Sequence, residues 1–145
     1  MSRPGRETCS LASSLPYSIP VRVYYQDTDA GGVVFHAQYL AFMERARTER
    51  LNDAGIDLAR FSEKHGLLFL VHHISVTFHR PALLNDLLTV SAEVAKMGRA
   101  SFVFRQRVER AGTLLVEADI TLALVDRRRM KPARMPEDLE QALKR

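Results

Sequence analysis

Apolar and polar positions along this chain change their spacing repeatedly, and each change marks an expected element. Val21, Val23, Tyr24 and Tyr25, rich in β-branched and aromatic side chains, read as a strand that starts near Pro20 and ends near Tyr25. From Ala37 to Ala54 the letters favour a helix: Ala, Leu, Met, Glu and Arg dominate, proline is absent, and Gly55 stands where helices commonly stop. Its first half, Tyr39 to Met43, is apolar almost all round and so must be wrapped by a sheet or a second subunit. Its second half keeps only an Ala46, Leu51, Ala54 stripe among charges, with Arg45 and Glu49 spaced to pair. A loop carrying Phe61 and His65 follows, and the remainder is strand-rich.

Leu67 to Phe78 places His72, Ile74, Val76 and Phe78 on one face, and His79 to Asp86 (HRPALLND) breaks the run. Leu88, Val90, Ala92 and Val94 alternate in the next strand, and Met97, Gly98 and Arg99 turn it. Phe102 and Phe104 then oppose Val103, Arg105 and Arg107; after a turn at Ala111 and Gly112, residues 116 to 124 alternate in the last strand. Residues 135–144 suit a short terminal helix. Successive hairpins of this kind give an α+β plan, an antiparallel sheet of about five strands curled round one long central helix.

Composition narrows the picture. The 145 residues make one domain, 46% hydrophobic and 26% charged with both signs mixed, which is a globular rather than a disordered composition. Residues 1–18 are rich in Ser, Pro and Arg without an apolar period and read as a flexible leader to a single domain over 19–145. The lone Cys9 excludes an intrachain disulfide, and no secretory signal or membrane-length apolar run is present, so a cytoplasmic home is expected. The net charge of +4 suits a polyanionic partner. Nucleic acid is disfavoured, because no aromatic stacking platform accompanies the charge.

The candidate chemistry sits between the first strand and the helix. Asp27 and Asp29 occupy a turn-forming loop, and Gly31 and Gly32 let the backbone approach a ligand closely. The first N–H groups of the helix have no partner inside it and can donate to an oxygen gaining negative charge. In an arbitrary chain such an Asp-Thr-Asp is more often a turn whose carboxylates bond backbone N–H groups, and Asp27 is assigned that structural role. His36 either caps the helix or takes part directly; Tyr25 suits a pocket wall better than a catalyst. His72, His73 and His79 lack an acid or cysteine at ligand spacing, so no metal is expected.

The run YYQDTDAGGVVFHAQY, continued by ERARTE and more weakly by RPALLND, SFVF and MKP, resembles the hotdog-fold acyl-CoA thioesterases of the 4-hydroxybenzoyl-CoA thioesterase type. The likeness is strongest to the bacterial Tol-Pal-associated acyl-CoA thioesterases and extends from Val21 to Pro136. It implies that Asp29 is the catalytic carboxylate, as nucleophile on the thioester carbonyl or as base on water. It also implies that the backbone N–H at His36 polarises the thioester oxygen, with the side chains of His36 and Tyr25 lining the pocket. Gln26 and Phe35 depart from the Glu and Tyr common in close relatives, and neither removes a group the mechanism needs.

Arg99, with Arg127, Arg128, Arg129 and Lys131, would form a basic rim for the phosphates of coenzyme A, or for an acidic acyl carrier protein; singly, each also reads as a solvated surface charge. Glu44, Arg47 and Arg50 are expected in ion pairs within or between subunits. The substrate would be an acyl-CoA, coenzyme A entering only as part of it, and the assembly a homo-oligomer, dimer or tetramer. The competing reading is a non-catalytic module that binds acyl thioesters or acyl carrier protein beside envelope or lipid-metabolism machinery. A hydratase on the same fold lacks a clear His-plus-acid pair.

Overall fold

In the computed structural model, which describes residues 16–145, five strands and three helices follow one another as β1 (Tyr17–Arg22), α1 (Gln38–Asp53), α2 (Leu58–His65), β2 (Leu67–Phe78), β3 (Leu87–Met97), β4 (Ser101–Arg110), β5 (Thr113–Asp126) and α3 (Glu137–Leu143). The expected leader falls mostly outside the described residues, as does Cys9, but its last two positions, Tyr17 and Ser18, already belong to β1. That strand stops at Arg22 rather than near Tyr25, because Tyr25–Asp27 winds into a short 3-10 turn. Pro20 is tolerated inside β1 because the strand is a sheet edge, where a missing N–H need not break a ladder.

All strand pairs are antiparallel, in the order β1-β3-β4-β5-β2. Hairpins join β3, β4 and β5 as expected. β2 departs from the simple meander: it crosses to the far edge and pairs with β5, Leu67 opposite Asp126 and Phe78 opposite Val116. The alternation expected in β2 is also interrupted. A bulge between Val71 and His73 leaves His72 unpaired, so Phe69 and Val71 before it, and Ile74, Val76 and Phe78 after it, oppose buried residues of β5. One extra residue thus keeps one face of a twelve-residue strand opposite the buried residues of β5, although most of the strand stays exposed.

Helix α1 lies against β1, β3 and β4. Tyr39, Phe42 and Met43 are buried against sheet residues that include Leu88, Val90, Phe102 and Phe104. Burial of each such side chain is worth about 1.5–3 kcal/mol, which fixes the helix on the sheet. At the centre of this contact Gln106 of β4 is fully buried. Its Nε2 donates to the carbonyls of Met43 and Ser91 at 2.9 and 3.0 Å, and its Oε1 accepts from Arg47 at 2.9 Å.

Within one chain, two corrections fall on α1. Arg47 spends its charge on neutral Gln106, and burial pulls its pKa down. Arg50 donates to the Leu143 carbonyl at 3.3 Å and lies over the Phe104 ring, and Glu44 accepts from Thr48, so none of the three makes an ion pair within the chain among the described residues. Arg45 sits 5.6 Å from the centroid of Phe42 instead of pairing with Glu49. The third correction is α2 itself, expected as a loop. Asp57 caps it by accepting from the Arg60 N–H, and Gly66 ends it in the left-handed region at φ 66°.

Candidate active site

Asp27 is buried and fully occupied. Its Oδ2 accepts from the Tyr24 N–H at 2.8 Å, its Oδ1 from Gln38 Nε2 at 3.0 Å, and its carbonyl from the Phe35 N–H at 3.0 Å. The structural role expected of it is the one observed.

Asp29, two residues on, is exposed. Its Oδ1 accepts from the Gly31 N–H at 2.8 Å, while Oδ2 takes no hydrogen bond among the described residues. The backbone closes beneath it: Asp29 N–H donates to the Val33 carbonyl and Gly32 N–H to the Asp29 carbonyl, a turn that puts Gly32 at φ 81°. One carboxylate oxygen is therefore tethered and the other faces solvent.

The tip of α1 begins at Ala37, which has no side-chain cap, so His36 does not cap the helix. Gln38 N–H returns to the Phe35 carbonyl at 2.8 Å, whereas the N–H groups of His36 and Ala37 have no acceptor among the described residues. Unclaimed donors at a helix start, where the macrodipole is positive, suit an oxygen that gains charge. A cavity of about 270 Å³ opens beside them, walled by Val34, His36, Tyr39 and Phe78 and rimmed by His79, Arg80 and Pro81. Tyr39 is buried with its hydroxyl accepting from the Ala82 N–H at 2.9 Å. Burial raises its pKa, and the charges of Asp86 and Asp29 push the same way against the Ala82 N–H and Arg110, so the phenol stays neutral.

The expected site residues divide. His36 lies on the cavity wall at the helix tip, and Asp29 stands in the loop that leads to it. Tyr25 is 82% exposed and is not part of the cavity wall. Arg99, Arg127, Arg128 and Lys131 form a group at one end of the sheet, where Met135 N–H bonds the Arg99 carbonyl and Arg127 N–H the Gly66 carbonyl. Within one chain that end is remote: Arg99 follows the last residue of β3 and the acidic loop lies by its first, about 30 Å apart along the strand.

The crossing of β2 to the far edge brings the ring centroid of Phe78 to 5.8 Å from that of Tyr39, and the cavity walls Tyr39 and Pro81 escaped the sequence reading. So did a His-plus-acid pair: His79 Nε2 lies 2.7 Å from Glu117 Oε2, across strands 38 residues apart in sequence. Among the described residues, no cluster of three His, Cys, Asp or Glu side chains is placed to hold a metal ion. No helix among the described residues is long and apolar enough to cross a membrane.

A five-stranded sheet wrapped on one helix, with a carboxylate loop at the helix tip, is the hotdog architecture of a thioesterase. Residues 31–117 match the family described as the Thioesterase superfamily, and the chain belongs to that family. Among individual proteins, it is 43% identical over 126 residues to the acyl-CoA thioesterase YbgC of Haemophilus influenzae, covering 87% of this chain and 93% of that one. It is 44% identical over 121 residues to the acyl-CoA thioester hydrolase YbgC of Escherichia coli O6:H1, covering 83% and 90%. Of solved structures, a probable thioesterase from Bartonella henselae superposes with a TM-score of 0.78 at 38% identity, covering 84% of this chain and all of the other.

Proposed function

We propose that the protein hydrolyses acyl-CoA thioesters to free acid and coenzyme A, with Asp29 as the catalytic carboxylate and the N–H groups of His36 and Ala37 as the oxyanion site. The observation that carries this reading is a loop carboxylate with one untethered oxygen that leads into a helix start with two unclaimed amide donors, one of them on His36 in a cavity wall. A thioester carbonyl seated on those donors is polarised while its carbon faces Asp29. In one route Asp29 takes a proton from water as the water oxygen bonds to the carbonyl carbon; the C–S bond then breaks and the thiolate receives a proton. In the other the carboxylate attacks directly and the C–S bond breaks to release the thiolate, leaving a mixed anhydride that water opens to the free acid and the restored Asp29 carboxylate. Neither route needs a serine triad or a metal ion.

The unpaired edge of β2 supports a two-chain site. It leaves Leu70, Val71, Ile74 and Phe78 exposed on a long strand, a liability for an isolated chain. Leu67 lies at the Arg127 end of the sheet and Phe78 at the acidic-loop end. Antiparallel pairing of two β2 edges therefore brings the Arg99, Arg127, Arg128 and Lys131 group of one copy beside the acidic loop of the other, where it meets the phosphates of coenzyme A.

The test is a thiol-release assay over short, long and aromatic acyl-CoAs with Asp29→Asn as control. A fall of about 10²–10⁴-fold in the variant is expected of a lost base. An active Asp29→Asn, or no release by the wild-type protein, ends the proposal; tight acyl-CoA binding without release would favour the binding-module reading.

A further inference from the structure

Asp27 and Gln38 are joined across the gap between the acidic loop and the helix tip, and the chemistry above uses neither. Asp27 is 2% exposed and holds its carboxylate with neutral donors, the Tyr24 N–H and the Gln38 amide; among the described residues it makes no ion pair. Gln38 is the first residue of α1, and the Phe35 N–H, on the chain's approach to the tip, bonds the Asp27 carbonyl. One residue thus grips both sides of His36 and Ala37. Two residues beyond it stands Asp29.

We infer that Asp27 and Gln38 are positioning residues, and that their side-chain bond sets the distance between the Asp29 carboxylate and the His36 and Ala37 N–H groups. The rate consequence rests on the thioesterase reading; the clasp itself does not. The residue types fit the task. An apolar side chain at 38 would leave a buried carboxylate oxygen without a donor, a penalty relieved by swinging Asp27 outward. Asp29 would move with it, because only one residue separates them. A glutamate at 38 would oppose a second negative charge to Asp27, whereas glutamine donates without adding charge.

Two variants and one exchange measurement test this. Gln38→Met keeps the length and removes the donor; kcat is expected to fall about 10- to 100-fold, as for a misplacement near 1 Å, with KM unchanged. Gln38→Glu sets two carboxylates face to face, which share a proton in acid and repel once both ionise; its kcat relative to wild type is expected to fall as pH rises. Wild-type kcat in both variants at every pH, or a loss confined to KM, overturns the inference. Amide hydrogen exchange at Phe35 reports the clasp without turnover: it should quicken in Gln38→Met while core amides of β4 do not. Unchanged exchange at Phe35 overturns the clasp even in a protein that releases no thiol. Quickened exchange in a protein inert toward every thioester removes the thioesterase reading and leaves the clasp standing. If β4 amides quicken too, the pH dependence of Gln38→Glu decides, and a flat ratio overturns the inference.

Discussion

The amide of Gly31 donates to Oδ1 of Asp29 at 2.8 Å, and a Cβ placed on Gly31 would stand 3.3 Å from that same oxygen. The glycine both tethers the carboxylate and makes room for it. Gly31→Ala is expected to displace the carboxylate by a few tenths of an ångström and to slow thiol release about tenfold, with little change in the urea midpoint. Gly32→Ala acts differently, since its φ of 81° strains any side chain, and it should cost about 1–2 kcal/mol of stability. Activity and unfolding curves of the two variants, measured side by side, check the distinction; equal effects in both assays would contradict it.

Gln106 ties the middle of α1 to the sheet and is the only hydrogen-bond acceptor the described residues give to the buried Arg47. Gln106→Leu strands that guanidinium and frees the Met43 carbonyl, so a loss of about 1–3 kcal/mol is expected in chemical unfolding. The double variant Arg47→Met, Gln106→Leu removes the stranded charge and should recover part of that loss. Additive losses would show that the two side chains do not depend on each other.

Asp86 pins the turn that carries Ala82 to the Tyr39 hydroxyl. Burial opposes its ionisation, but the Leu83 N–H and the Arg110 guanidinium, 2.7 Å away, outweigh burial and hold its pKa below the ordinary value. A carboxylate with a folded pKa below its unfolded value stabilises the fold above the unfolded value, about 3.9, and loses that contribution as pH falls through the folded one. Asp86→Asn is therefore expected to lower stability at neutral pH and to lose less than wild type on acidification. Urea midpoints at neutral and acid pH measure both; parallel acid losses in the two proteins would refute the assignment.

The exposed apolar row on β2 predicts self-association. Wild-type protein should elute as a dimer or larger, and a Val71→Lys, Ile74→Lys variant, with two charges on the free edge, as a smaller species with reduced thiol release. Light scattering on both decides it. A monomeric wild type that still turns over acyl-CoA would remove the two-chain site.

Much of the plan was legible without coordinates because it rests on local pattern. Helix α1 has good helix formers and a glycine stop, and its greasy first half announces that something must surround it. The inward faces of β3, β4 and β5 follow from a period of two, and the joined Asp, Gly-Gly and His run marks the loop. Helix α2 was missed, although Asp57 and Gly66 are ordinary start and stop signals, because only Phe61 and Leu58 on its face touch the core. The bulge at His72 was missed for a different reason: an inserted residue preserves the face only by reference to the partner strand, and a lone strand carries no record of its partner.

By itself, then, the chain's order of residues determined which segments are strands and which is the central helix, and that two carboxylates precede the helix, since propensity and periodicity act over a few neighbours. Tertiary structure alone decided that Asp27 is sealed by Gln38 while Asp29 keeps one oxygen free, that Phe78 reaches Tyr39, and that the arginine group lies at the far end of the sheet. Those are distances between residues remote in sequence, set by which edge β2 joins and by how a buried polar group finds its donor, and no local pattern encodes them.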